Sequence, residues 1–293
     1  MLDATGCGLF AYNRRNVRIR TQRQSFYGAK IRITLRGHAF ALPAPMSVAE
    51  DAMLHAPRSS PQWHAEVVER RAHIPTDDHE RFVGYAVLGQ RFRSGHVLAL
   101  RRWPATSIGP AYTSVWHQLP DGRWRLYADA PAAQSCARYI DSATSSSWEG
   151  RIRLAWSDPY RLCVDVRGVG LEWNIDFRRT WITRAFTAAR AVLPDAALAA
   201  DPMSRALEWM ARAGLGVTGL SGVMPNGHNY RALPRRIWLM DDARAWLNGV
   251  NLGPPQRGAV GARIGTLTVP TCGALAFVSA RFTRPPLRES YFA

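Results

Sequence analysis

Residues 152–177 read IRLAWSDPYRLCVDVRGVGLEWNIDF, and the phase of that stretch decides the class of fold. Leu171, Trp173, Ile175 and Phe177 fall on one side of an extended chain, while Glu172, Asn174, Asp176 and Arg178 fall on the other. Just upstream, Leu162, Val164 and Val166 alternate with Arg161, Cys163 and Asp165, and Ile152, Leu154 and Trp156 alternate with Arg151 and Arg153. Successive side chains of a strand point to opposite faces, so each run describes a strand with one apolar side. Ser157-Asp158-Pro159 and Arg167-Gly168 carry turn chemistry between the runs. The stretch predicts an antiparallel three-strand meander.

The same pattern extends outward. Val83–Phe92 and His96–Arg102, joined at Ser94-Gly95, predict a hairpin, as do Tyr112–Gln118 and Trp124–Asp129 around Pro120-Asp121-Gly122. Downstream, Gly216–Val223 and His228–Leu233 flank Pro225-Asn226-Gly227, and Ile237–Met240, Ala245–Leu247, Ala262–Val269 and Ala274–Phe282 continue as strands. Asn248-Gly249 and Asn251-Leu252-Gly253-Pro254 mark turns. One segment breaks the pattern. Thr180 can cap a helix from Trp181 to about Leu193, stopped by Pro194, and Asp201-Pro202 opens a second short helix over Met203–Ala213. The expected fold is mainly β, with antiparallel up-and-down sheets or barrels and a short helical bridge. The expected organisation is a basic leader over 1–45, disordered or not native, a first β-rich half over 46–180, a helical bridge over 181–214 and a second β-rich half over 215–293.

The chain has 293 residues, a net charge of +16 and a pI near 10.8, yet 47% of it is hydrophobic and it holds 11 Trp, so it can bury a core. No run of about 18 uncharged apolar residues exists, which excludes a transmembrane helix. Every one of the 38 basic residues except Lys30 is arginine, the mark of codon bias in a GC-rich genome rather than of a nucleic-acid partner. Between Ala4 and Ala49 there is no acid, while Arg14, Arg15, Arg18, Arg20, Arg23, Lys30, Arg32 and Arg36 give a transit-peptide-like leader. With Asp3 set against those eight bases, this leader holds +7 of the +16. Met46-Ser47-Val48-Ala49-Glu50 opens a compositionally ordinary region, so composition favours a translated stretch upstream of the true start, with a basic arm and a targeting segment as alternatives. Cys7, Cys136, Cys163 and Cys272 are scattered and form no C-x-x-C, so a zinc ribbon is absent and a reducing cytoplasm is the expected compartment.

Motifs for cofactor or covalent chemistry do not hold up in context. Gly214-Leu215-Gly216-Val217-Thr218-Gly219 satisfies G-x-G-x-x-G with Asp241 further on, but a helix precedes it where a dinucleotide site needs a strand. Gly219-Leu220-Ser221-Gly222-Val223 lacks the last glycine of a nucleophile elbow. His64-Ala65-Glu66 has no P-C-x-x-C partner. Asp77-Asp78-His79-Glu80, with His73 nearby, reads as a solvated loop rather than a cation site. No cofactor and no metal are expected.

What remains is an aromatic inventory on strands. Trp103, Tyr112, Trp116, Trp124, Tyr127, Trp156, Trp173, Tyr230, Trp238 and Trp246 fall on or beside predicted strands, and most belong to core. If the sheets close, an interior lined by some of them becomes a pocket for an apolar ligand, with Tyr112, Trp116, Trp124, Tyr127, Trp173, Tyr230 and Trp238 as its contacts. His117, Glu172, Arg138, Tyr139, Asn226 and His228 are the polar residues available to orient it. His117 and Glu172 are the candidates for proton transfer, although Glu172 and Trp173 occupy opposite phases and cannot face one cavity.

Val115-Trp116-His117, Pro120-Asp121-Gly122-Arg123-Trp124, Leu171-Glu172-Trp173, Gly222 with Pro225-Asn226-Gly227, and Trp238 with Asn248-Gly249 together resemble the two-domain, lipocalin-like β proteins of the carotenoid 1,2-hydratase (hydroxyneurosporene synthase)/AttH type. The resemblance covers Phe82–Phe282 in strand and turn spacing, and that family's catalytic residues do not map onto positions here. It implies lipocalin-like barrels whose cavity takes an isoprenoid or polyketide-like molecule, with cofactor-free hydration or cyclisation as the reaction. A non-catalytic carrier of a lipophilic ligand is the first alternative, and an Arg-rich nucleic-acid-binding module the weaker one. The expected partner is an apolar small molecule, not nucleic acid.

Overall fold

A computed structural model describes residues 56–191, 209, 219–256 and 261–283. They belong to one compact unit, Ala56–Ala293. The leader over 1–45, most of the second expected helix and most of the glycine motif at Gly214–Gly219 lie outside the described residues.

Helix α1 (Pro61–Arg71) comes first, with Pro61 at its start and Ser60 Oγ accepting from the Trp63 N–H at 3.2 Å. Both features satisfy the open end of a helix. Strands β1 (Glu80–Phe92), β2 (Val97–Thr106), β3 (Tyr112–Gln118) and β4 (Trp124–Ala128) follow as the two expected hairpins. After the single turn of α2 (Ala137–Ile140) comes β5 (Ser146–Glu149), which the alternation had not revealed. The quoted meander is β6 (Arg153–Asp158), β7 (Arg161–Val166) and β8 (Leu171–Arg178). Helix α3 (Trp181–Ala191) begins at a reciprocal cap, with the Thr183 N–H donating to Thr180 Oγ1 at 3.3 Å and the Thr180 N–H to Thr183 Oγ1 at 2.9 Å.

The second half departs from the sequence expectation in two places. Past β9 (Ser221–Val223), the three short strands expected between His228 and Leu247 are one, β10 (Asn229–Leu247). Its pairing shifts register between Pro234 and Arg236 and again between Met240 and Asp242, so bulges absorb the proline and the acidic pair that looked like breaks. After β11 (Val250–Asn251) and β12 (Pro255–Gln256), the strand expected over Ala262–Val269 folds back on itself at Gly265 (φ +56°) as β13 (Ala262–Ile264) and β14 (Leu267–Val269). Asn248 (φ +50°) and Gly249 (φ +78°) form the tight turn that their dipeptide predicted.

Strand β15 (Ala274–Thr283), near the end of the chain, decides the topology. The main path of the sheet runs β5-β4-β3-β2-β1-β15-β10-β8-β7-β6, so β15 lies between β1 and β10 and joins both halves of the chain. All of these pairings are antiparallel except β4–β5. The result is a large mixed sheet, mostly antiparallel, curled into a half-barrel. The ends of the curl meet: Trp148 of β5 lies so close to Gly168, between β7 and β8, that a Cβ there would fall 2.2 Å from the indole. Only glycine permits that approach. In β1, register shifts beside Gly84 and Gly89 add to the bend.

The inside of the curl is filled. Trp173, Leu98, Leu100, Leu162, Ile175 and Trp238 meet there with Tyr85 and Phe277 in one buried cluster. Helix α1 covers part of it, packing His64 5.3 Å from the Trp238 ring and 5.9 Å from Phe277. Glu69 of the same helix accepts two hydrogen bonds from Arg102 (2.9 and 2.8 Å) and one from the Tyr85 hydroxyl (3.1 Å). No described helix is long and apolar enough to cross a membrane.

Candidate functional site

The outer face of the same sheet carries the cavity. Side chains of opposite phase to the inner core point here, and on the central strands several are small: Ala86 stands opposite Ala276, and Ala280 opposite Ala232. These methyl groups make a low floor, because a pleated surface of alanine leaves room that leucine or valine would fill. Trp103, Tyr112, Trp116 and Tyr230 rise around the floor as walls, and Leu220, Met224, Leu267 and Val269, brought by β14 and the segment around β9, partly cover it. The space between them is about 100 Å³ and is partly open. That is the same order as the ~150 Å³ engineered apolar cavity that takes benzene.

Polar groups enter this wall at a few points. Trp116 Nε1 donates to Ser114 Oγ at 3.3 Å, Ser114 Oγ donates to Cys136 Sγ at 3.4 Å, and the Tyr112 hydroxyl lies 3.3 Å from the same sulfur. Burial pushes the Tyr112 phenol well above its ordinary pKa, so it stays protonated. The Tyr230 hydroxyl donates to Gly219 O at 2.9 Å. Arg101 of β2 lays its guanidinium over the Trp116 ring, 4.8 Å from the centroid, and its Nη1 donates to Val87 O and Leu100 O, each at 2.8 Å. Cation–π contact and backbone carbonyls are what make such a burial tolerable.

At one margin Glu80 gathers several residues singled out in the sequence. The Tyr139 hydroxyl donates to it at 2.5 Å and Arg138 Nη2 at 2.6 Å, and His228 Nε2 stands 3.9 Å away. Asn226 holds the group together by donating from Nδ2 to Arg138 O at 2.8 Å. Burial opposes ionisation of Glu80, but the hydrogen bonds from Tyr139 and Arg138 outweigh it and leave its pKa below the usual value. Glu80 itself had been read only as part of a solvated loop. Asp77 of that loop binds Arg81, and among the described residues no group of three or more His, Cys, Asp and Glu is placed to hold a metal ion.

The structure separates the remaining candidates. Tyr112, Trp116 and Tyr230 line the cavity, and Trp124 packs behind it, its Nε1 donating to Arg263 O at 2.7 Å. Tyr127, Trp173 and Trp238 belong to the inner core instead. His117 is fully buried on that inner face, its Nε2 2.7 Å from His96 Nδ1 and its Nδ1 2.9 Å from the Tyr127 hydroxyl. Burial first, then His96 and Arg125, pull its pKa down to about 3, so it is a neutral imidazole at pH 7. Glu172 is exposed on β8, on the opposite phase from Trp173. Arg101, Trp103 and Cys136 were not singled out as site residues. The available signal was Arg101 itself, a charge sharing a phase with Val97, Ala99 and Trp103.

No protein-family model and no curated protein matches this sequence. Among solved structures, the chain is similar to the crystal structure of acetoacetate decarboxylase (ADC) from Legionella pneumophila subsp. pneumophila str. Philadelphia 1. The likeness has 10% sequence identity and a TM-score of 0.35, and covers 75% of this chain and 93% of that one. At that score it carries no argument about the chemistry of this protein.

Proposed function

We propose that this protein binds a small, largely apolar molecule in the cavity on the outer face of its sheet. The observation that carries the reading is the alanine floor at Ala86, Ala232, Ala276 and Ala280 beneath walls of Trp103, Tyr112, Trp116 and Tyr230. A concave apolar space with a few convergent polar groups is the usual form of a small-molecule site. The resemblance to carotenoid 1,2-hydratase/AttH-type proteins read from the sequence also implies an apolar ligand. The volume of about 100 Å³ suits a ligand of benzene's order of size better than a whole isoprenoid chain.

The reading contains no catalytic step, since neither proton-transfer candidate, His117 or Glu172, lines this space. Nor does it call on nucleic acid, although only some of the exposed arginines, among them Arg123, Arg161 and Arg167, are paired with carboxylates, here Asp121, Asp176 and Asp165. Toluene added to the full chain is expected to change the fluorescence of Trp103 and Trp116, and Ala276→Leu, which raises the floor, is expected to abolish the change. A wild-type protein that takes up no apolar probe at millimolar concentration overturns the reading.

A further inference from the structure

A cation without a counter-ion sits in the wall of this cavity. Two other arginines have carboxylates: Arg102, the next residue in β2, has Glu69, and Arg138 has Glu80. Arg101 has none among the described residues. The groups that favour its charge are Cys136, Tyr230 and Tyr112, and none of these is a carboxylate.

Its hydrogen bonds are also incomplete in an ordered way. A guanidinium has five N–H donors, and both bonds that Arg101 makes leave from Nη1, to Val87 O and Leu100 O. The Nε–H and the two Nη2–H donors have no acceptor among the described residues. Nε and Nη2 form one edge of the guanidinium plane, the edge that meets both oxygens of a carboxylate side-on. Two backbone carbonyls on one side and the Trp116 face at 4.8 Å fix the orientation of that edge before any ligand arrives. A second donor in the same wall has the same need. Trp103, two residues along the same face of β2, lines the cavity and buries its Nε1–H without an acceptor.

We infer that the ligand is a small monocarboxylate with an apolar or aromatic body, its carboxylate received by the Nε/Nη2 edge of Arg101 and assisted by Trp103 Nε1–H. The inference rests on the cavity being a binding site. One fixed cation in an otherwise apolar chamber matches a monoanion, whereas a phosphate dianion would bring more charge and more acceptors than this wall can meet. A partly desolvated Arg–carboxylate pair is strong only when its geometry is set, and here the protein sets it in advance.

The test compares benzoate, its neutral isostere benzamide and toluene, titrated by calorimetry at pH 7 into the wild-type full chain and into variants. Benzoate is expected to bind at least ten-fold more tightly than benzamide. Arg101→Met is expected to lose at least ten-fold in benzoate affinity and to keep toluene. Should that variant fail to fold, Arg101→Lys keeps the charge but not the two-point edge, and it is expected to weaken benzoate several-fold while sparing toluene. Trp103→Phe, which keeps the ring, is expected to weaken benzoate but not benzamide. If toluene binds and benzoate shows no preference over benzamide, or keeps its affinity in Arg101→Met or Arg101→Lys, the inference is overturned while the binding reading stands. If neither toluene nor benzoate binds, both fall.

Discussion

Lowering the pH from 7 to 5 is expected to destabilise this protein through His117. The imidazole is fully buried, hydrogen-bonded to His96 and Tyr127, and its pKa is held down to about 3. In the unfolded chain it returns to about 6.5. Between those values the unfolded state binds a proton that the folded state refuses, so stability is fully present above pH 6.5 and falls as the pH drops toward 3. At 1.36 kcal/mol per pH unit, the loss at pH 5 comes to about 2 kcal/mol for this one residue. His64, its pKa lowered to about 4 by burial and then by Arg236 and Arg179, adds a smaller loss of the same sign, because solvent screens it more. Carboxylates held below their usual range, such as Glu80, titrate below this window and do not contribute to it.

The assay is urea unfolding at pH 7, 6 and 5, with the free energy extrapolated to water for the wild type and for His117→Gln. The variant should be less stable at pH 7 but keep the part of the wild-type pH dependence owed to His64 and to His96, whose pKa burial also holds down. In the folded wild type, the His117 ring resonance should not titrate between pH 7 and 5, which checks the argument without any variant. A free energy that is flat from pH 7 to 5, or an equal slope in His117→Gln, would refute the reasoning.

Three further outcomes follow from the packing. Trp173→Ala, at the centre of the inner core with no exposed surface, should cost about 3–5 kcal/mol in chemical denaturation. Gly168→Val should force Trp148 out of its contact and open the seam of the curl, at about 1–3 kcal/mol; pairing it with Trp148→Ala should recover part of that loss. Glu69→Gln weakens the two-point contact to Arg102 and should cost about 1–2 kcal/mol, with amide exchange rising first in α1.

Much of the secondary structure could be read from local chemistry. The hairpins at Gly95 and Gly122, the meander over β6–β8 and the Thr180 cap all appear where turn residues and period-two alternation put them. The misreadings share a cause. Pro234 and Asp241-Asp242 looked like strand ends because a local pattern does not show whether a neighbouring strand will accommodate a bulge, and here β15 and β8 do. Strand β5, four residues beside β4, and helix α1, with only Pro61, His64 and Ala65 fully buried, are too short or too weakly patterned to stand out.

By itself, then, the sequence determined that this chain makes strands with two faces and that its tryptophans would cluster on them. Which face is solid and which is hollow was decided by tertiary structure. Alternation gives Leu98 and Ala99 opposite directions but not their surroundings, and those depend on pairings between residues far apart in the chain. The insertion of β15 between β1 and β10 sets Ala276 against Ala86 and Ala280 against Ala232, which makes the floor. The meeting of Trp148 with Gly168 curls the other face shut around Trp173. An arginine among valine, alanine and tryptophan in β2 is one letter in a strand, and only the folded sheet makes it a half-buried cation in the wall of a cavity.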